Sequence, residues 1–177
     1  GFFLDIAKDR FKNLLGLDIF EDGINYAKNT LNLNVQHQDF VHYEGPSNIY
    51  VGCMWDTIEH LSQPHLYIKK FSELMEKDSL LAITTGDIES PVAKMRKERW
   101  RLIHPPTHIH YFSKRTLTQL LEKFGFEVVH FEYCGFYRSL DNALYNILVL
   151  RNIQKSLYQK IQSRIKNINF YLNIYDI

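Results

Sequence analysis

Cysteine and net charge are both scarce in this sequence, and each scarcity excludes something. Two cysteines, Cys53 and Cys134, are too few for a disulfide framework. Both lie in apolar, strand-like runs, so reduced core thiols of a cytoplasmic protein are expected. Lysine and arginine exceed aspartate and glutamate by one, a formal net charge of +1. That gives no global drive toward nucleic acid, and any attraction to polyanions must come from local patches. No run approaches the ~20 apolar residues of a membrane-spanning helix, and the first residues lack the basic, small-residue pattern of a signal peptide. What is present is the composition of a globular domain: 177 residues, 45% hydrophobic and 23% charged, enough for a sizeable core.

The hydrophobic pattern alternates between two periods. FFLDIAKD at 2–9 carries Phe3, Ile6 and Ala7 on one helical face, and LLGLDI at 14–19 is a short apolar run ending on Asp18. EDGINYAKNTLN then places Ile24, Ala27 and Leu31 at helical spacing, and NVQHQDF at 34–40 ends on Asp39. NIYVGCMW at 48–55 predicts a third strand, PHLYIKKFSELMEK a helix with Leu66, Phe71 and Leu74 inward, and SLLAITTG at 79–86 a fourth strand. Ser113 caps a helix bearing Leu117, Leu120, Leu121 and Phe124, with Gly125 as its left-handed stop before the strand FEVVHFEYCGF. The alternation predicts an α/β fold with a doubly wound, mostly parallel sheet covered on both faces. In such sheets ligands bind beyond the carboxyl ends of the strands. The residues expected there are Asp18, Asp39, Asp56 and Asp87, although any one of them also suits a helix cap or turn.

The ordered set of Asp18, Asp39 and Asp56, each closing an apolar run, resembles the Rossmann-like S-adenosylmethionine-dependent methyltransferases, nearest those of quinone biosynthesis and sugar O-methylation. The resemblance runs from Gly1 to about Phe136. It implies a methyltransferase domain over residues 1–138 and an extension over 139–177 that supplies a last strand and helix. Gly1 and Phe2 look like the end of the family's glycine-rich turn. The first strand and earlier glycines of that motif are missing from the chain, which begins without an initiator methionine, so an upstream segment is expected. By the resemblance Asp18 accepts the cofactor's ribose hydroxyls and Ile19 flanks the adenine. Asp39 takes the exocyclic amine, Phe40 lines the ring, and Trp55 and Asp56 stand beside the transferred methyl group. The departure is Tyr50-Val51-Gly52, where the family begins this strand with an aspartate and two apolar residues; Gly52 weakens the strand but leaves its end intact.

Methyl transfer to a hydroxyl needs the acceptor held in line and a base for its proton. His60 and His108 are the expected bases, with Glu59 beside them, and structural hydrogen bonding is the plain alternative for each. The resemblance puts His108, followed by Tyr111-Phe112-Ser113, on a substrate-facing lid. Asp56, Glu59 and His60 could also hold a divalent cation. Because adjacent Glu59 and His60 cannot share one helical face, a base-and-cap role is preferred and no metal is expected. KMRKERWR at 94–101 reads as a solvated helix face or as recognition of a substrate phosphate or carboxylate, with Trp100 stacking on a ring. Trp100, Arg101 and Tyr111 are thus the expected substrate contacts. Beyond Arg138, Ile153, Leu157, Ile161, Ile165 and Ile168 alternate with basic residues, the pattern of a long basic amphipathic helix. Such a helix could pack on the domain, pair with a second copy or lie on an anionic membrane, and part of ALYNILVL could be the last antiparallel strand. The expected activity is O-methylation of a small or lipid-linked hydroxyl compound without nucleic-acid partners. A cofactor-free partner subunit of the same fold is the competing reading. An NAD-dependent oxidoreductase would require a hydride-accepting pocket that nothing downstream suggests.

Overall fold

The computed structural model describes residues 1–145, 148 and 154–177. In chain order its elements are α1 (Phe2–Ala7), β1 (Gly16–Asp18), α2 (Glu21–Asn29), β2 (Val35–His37), β3 (Ile49–Trp55), α3 (Pro64–Leu74) and β4 (Met75–Thr84). There follow α4 (Pro91–Arg96), α5 (Lys114–Glu122), β5 (Phe136–Ser139), α6 (Leu140–Leu144), α7 (Lys155–Ile165) and β6 (Asn169–Leu172). The chain divides into two compact units, one of residues 1–53, 63–82 and 123–126, the other of 54–62, 83–122 and 127–177. The expected extension over 139–177 therefore shares a unit with the ends of β3 and β4.

In the first unit β1 and β2 run parallel, Gly16 opposite Val35 and Asp18 opposite His37. Helix α2 buries Ile24 and Ala27, while Glu21 and Asp22 in its first turn and Lys28 in its last complement the helix dipole. Helix α3 starts on Pro64, which has no amide hydrogen to leave unsatisfied, and buries Ile68, Phe71 and Leu74 at helical spacing. It passes directly into β4 at Met75, four residues before the expected strand start at Ser79. Strand β4 pairs with β3. Gly52 departs from the family pattern for a visible reason: a Cβ there would lie 2.7 Å from Phe71 Cε1 and 3.1 Å from Leu81 Cδ1. The ring of Phe71 fills the space of a side chain.

In the second unit Ser90, fully buried, caps α4 by accepting from the Ala93 amide at 3.1 Å. Ser113 and Thr116 cap α5 reciprocally, the Thr116 amide donating to Ser113 Oγ and the Ser113 amide to Thr116 Oγ1. Gly125 takes the left-handed conformation expected of a helix stop, with φ +84°. Two expected elements differ. Residues 126–135 form no strand; among the described residues no ladder runs beside them, and an extended backbone needs one to satisfy its polar groups. Pairing begins only at Phe136, where β5 meets β6 antiparallel, Phe136 opposite Leu172 and Ser139 opposite Asn169.

The long basic helix is likewise interrupted. Ser139 caps the short α6 through the Asn142 amide, and α7 closes at Ile165, so Ile168 lies outside it. The alternating Asn169-Phe170-Tyr171-Leu172 suits a strand with Phe136–Ser139 as partner. Helix α7 buries Tyr158 and Ile165 in its own unit while Leu157 stays exposed. Arg151, Ile153 and half of the ALYNILVL run lie outside the described residues. Cys53 is half-buried, and burial pushes its thiol up; Cys134 is exposed, not a core thiol. No described helix is long and apolar enough to cross a membrane.

Replacing Gly52 with alanine forces Phe71 off its rotamer or the strands apart, and overpacking of this kind costs about 1–3 kcal/mol. Urea unfolding of Gly52→Ala should show that loss; an unchanged midpoint would mean that the Phe71 ring moves aside freely.

Candidate functional site

The residues expected at the cofactor lie first on β1 and β2. Asp18 ends β1, exposed, and its Oδ1 accepts the Phe20 amide at 2.9 Å. This closes an Asx turn into α2 and leaves Oδ2 for other donors. Ile19 is 71% exposed, and its carbonyl accepts from His37 Nε2 at 2.9 Å. Asp39 caps the 3-10 turn Phe40–His42: its Oδ1 accepts the Val41 amide at 3.1 Å and the Tyr67 hydroxyl at 2.7 Å. Burial, and then that hydrogen bond, push the Tyr67 phenol up to about 12. The Phe40 ring packs on Phe71 at 4.2 Å between centroids, half-buried and held from behind. Phe2 is exposed, 6.3 Å from the Tyr26 ring, and Gly1 packs so closely on Ala27 that an added Cβ would lie 2.9 Å from it.

The second unit holds the other group. Asp56 follows β3 with φ 46°, a left-handed conformation uncommon for a non-glycine residue. Thr84 holds it there, the Asp56 amide donating to Thr84 Oγ1 at 2.9 Å and Thr84 Oγ1 donating to Asp56 Oδ1 at 2.9 Å. The chain then makes one 3-10 turn over Ile58–His60. That turn buries Ile58 and Glu59 and leaves His60 exposed. The Glu59 carboxylate accepts from Thr85 Oγ1 at 2.9 Å, while its backbone carbonyl accepts both the Ile109 and His110 amides, at 3.0 and 3.1 Å. The histidine segment is thereby fastened to the turn.

This fastening brings His60 and His108 together, ring centroids 4.7 Å apart and nearly perpendicular. His60 Nδ1 lies 2.7 Å from the Thr107 carbonyl and His108 Nδ1 2.7 Å from the Leu102 carbonyl. A carbonyl oxygen only accepts, so in both neutral rings the proton is on Nδ1 and the Nε2 lone pair is left for another group. One ligand atom each from Glu59, His60 and His108 falls within 4.8 Å of the others. Adjacency does not keep Glu59 and His60 apart, contrary to expectation, because they sit on a 3-10 turn and not on a helix face. The residue set, two imidazoles and a carboxylate, suits a divalent cation as well as a proton. Asp56 stands outside this set, committed to Thr84.

Two expected substrate contacts are engaged elsewhere. Trp100 is 2% exposed, and its indole N–H donates to Asp176 Oδ2 at 2.9 Å. Arg101 donates to the same carboxylate from Nε at 3.2 Å and from Nη2 at 2.9 Å. Neither the buried indole face nor the forked guanidinium is arranged for a ligand ring or anion. Tyr111, half-buried, donates to the His108 carbonyl at 3.1 Å. Of the neighbouring histidines, His104 shares Thr107 with its own carbonyl, and His110 approaches the Ser62 carbonyl at 3.4 Å. Thr84, Thr85 and Tyr67 were not singled out from the sequence. The Thr84-Thr85-Gly86 run at a strand end was the available signal for the first two.

Residues 1–131 match a family model described as a methyltransferase domain. The chain belongs to that family. The fold is shared with solved structures of low sequence identity. A SAM-dependent methyltransferase and possible histamine N-methyltransferase of Thermotoga maritima gives a TM-score of 0.59 at 19% identity, over 71% of this chain and 58% of that one. A SAM-dependent methyltransferase of Archaeoglobus fulgidus gives 0.61 at 20%, over 93% and 72%. A putative methyltransferase of Bacillus halodurans gives 0.58 at 15%, over 93% and 73%. The chain thus spans less than two thirds of the length of the first of these. A search of curated proteins finds no match.

The Tyr67 phenol carries a pH signature. Its proton leaves near pH 10 in the unfolded chain but near 12 in the fold. Its contribution to stability is therefore complete below pH 10 and is lost as the pH rises toward 12. Urea unfolding at a series of alkaline pH values should show a shallower decline for Tyr67→Phe than for the parent chain. Parallel declines would mean that the phenol is not shielded by Asp39.

Proposed function

We propose that this chain is an S-adenosylmethionine-dependent methyltransferase domain that methylates a hydroxyl oxygen of a small or lipid-linked acceptor, in the manner of the quinone and sugar O-methyltransferases. The observation that carries the reading is the paired imidazoles: two Nε2 lone pairs, oriented by backbone carbonyls and set beside a buried carboxylate. Preorganised acceptors of this kind suit removal of a hydroxyl proton. S-adenosylmethionine, when bound, supplies the sulfonium methyl group, and the products are S-adenosylhomocysteine and the methyl ether. In the proposal His60 or His108 takes the acceptor's O–H proton on Nε2 as the oxygen forms its bond to carbon. Glu59 stabilises the resulting imidazolium by charge, its own position fixed by Thr85. Asp18 offers Oδ2 to the ribose hydroxyls, and Asp39 offers its second oxygen to the adenine amine, with Phe40 and Ile19 along the ring. Trp55 and Asp56 are the residues proposed for the methyl end of the cofactor. The exposed side of His60 is the acceptor's side, and the cytoplasm the proposed location.

The same cluster favours a second reading, in which Glu59, His60 and His108 hold a divalent cation that two vicinal hydroxyls of the acceptor complete. The residues fit such an ion in type and spacing. A chelator distinguishes the two: activity that survives it leaves the histidines as proton acceptors, and activity lost and restored by added Mg²⁺, Mn²⁺ or Zn²⁺ assigns the cation.

Two measurements test the main reading. Calorimetric titration with S-adenosylhomocysteine should show saturable binding, weakened in Asp18→Ala by about 10- to 150-fold, the value of hydrogen bonds to a charged group. Binding that is absent in the parent chain would favour the cofactor-free partner subunit. With a methyl acceptor in hand, His60→Ala and His108→Ala should each lower kcat by on the order of 10²- to 10⁴-fold. Full activity in both variants would remove the histidines from the mechanism.

A further inference from the structure

We propose that Asp176 is a positioning residue for His108, acting through Arg101 and the carbonyl of Leu102; as a statement about catalysis this rests on the reading of His108 as a proton acceptor. His108 owes its Nδ1–H tautomer to one partner, the Leu102 carbonyl at 2.7 Å. That carbonyl belongs to a segment with no regular secondary structure, so its direction depends on what holds the residues next to it. Both preceding side chains end on a single carboxylate. The Trp100 indole N–H and two Arg101 guanidinium N–H groups converge on Asp176, which is 1% exposed. Three donors, two of them charged, satisfy a carboxylate that would otherwise be costly to bury. Gly86 leaves the space into which Leu102 and Trp100 pack.

Asp176 is itself held at several points, all in the same unit. Its carbonyl accepts the Asp87 amide at 3.0 Å. Three residues earlier, Asn173 donates from Nδ2 to the Tyr133 carbonyl at 2.6 Å and accepts the Tyr175 amide at 2.8 Å. Tyr133 in turn donates to Asp87 Oδ2 at 2.8 Å. Residues 173–177 thus form a strap with one inward charge. That charge meets the chain immediately before the carbonyl that orients His108. Stability alone would require none of these bonds to lie next to an imidazole partner, so the inference is decided by the state of that imidazole.

Ring-nitrogen NMR of the full chain reads the tautomers directly. In the parent, His108 should be Nδ1–H. His37, whose Nε2 faces the Ile19 carbonyl in the other unit, should be Nε2–H and serves as an internal control. In Asp176→Asn the charge is lost and one oxygen becomes an N–H donor, so the guanidinium fork and the indole bond can no longer all be accepted. His108 should then shift to a mixture of both tautomers while His37 keeps its own. Trp100→Phe removes one donor and retains the aromatic packing; it should move His108 in the same direction by less, and it decides the matter if Asp176→Asn does not fold. A folded Asp176→Asn, or in its place Trp100→Phe, whose His108 matches the parent overturns the proposal, as does a parent His108 found as Nε2–H. None of these readings requires methyl transfer, so failure of the proposed reaction and failure of this inference are separable.

Discussion

One backbone oxygen organises the site. The carbonyl of Glu59 accepts two successive amides, from Ile109 and His110, and so ties a turn at the end of β3 to a segment some fifty residues later. Everything chemical in the second unit follows from that tie. It sets the His60 and His108 rings edge to face, puts the Thr107 carbonyl in reach of one imidazole, and holds the buried Glu59 side chain where Thr85 satisfies it. A carbonyl has two lone pairs, and here both are used. The cluster therefore depends less on the identity of residue 59 than on its backbone, whereas its charge depends on the side chain alone.

The sequence showed the elements that have a short period and a local cause. Helices α2 and α3 are legible in Ile24 and Ala27 and in Phe71 and Leu74, the caps in Ser113, the stop in Gly125, and the strand ends in their aspartates. What it concealed involves partners distant in sequence. The run at 126–135 has the composition of a strand but, among the described residues, no ladder beside it, and Asn169–Leu172 looked like the tail of a helix until Phe136–Ser139 supplied a ladder. The Trp100-Arg101 pair suggested a ligand because an indole beside a guanidinium is commonly exposed at a binding face. The carboxylate that takes them lies 76 and 75 residues away, beyond any spacing rule.

The histidines illustrate the same division. Their presence in HPPTHIH was evident, but their tautomers follow from carbonyls at Leu102 and Thr107, which no side-chain pattern records. The resemblance, through Tyr111-Phe112-Ser113, pointed to His108. The geometry groups it with Glu59 and His60, whereas His104 turns Nδ1 to Thr107 and His110 has a long contact to Ser62.

The four strand-end aspartates, alike in sequence, differ in how much of their accepting capacity is already taken. Asp87 receives a phenol and a backbone amide, one on each oxygen. Asp39 receives the same two kinds of donor on a single oxygen, and Asp56 a threonine hydroxyl. Among the described residues Asp18 receives one amide. The capacity already taken therefore falls from Asp87 and Asp39, with two donors each, to Asp56 and Asp18, with one each. A solute rich in hydroxyls or amines would find these carboxylates graded in affinity before any other feature of its shape was felt, and the grading is written in neighbouring tyrosines and threonines, not in the aspartates themselves.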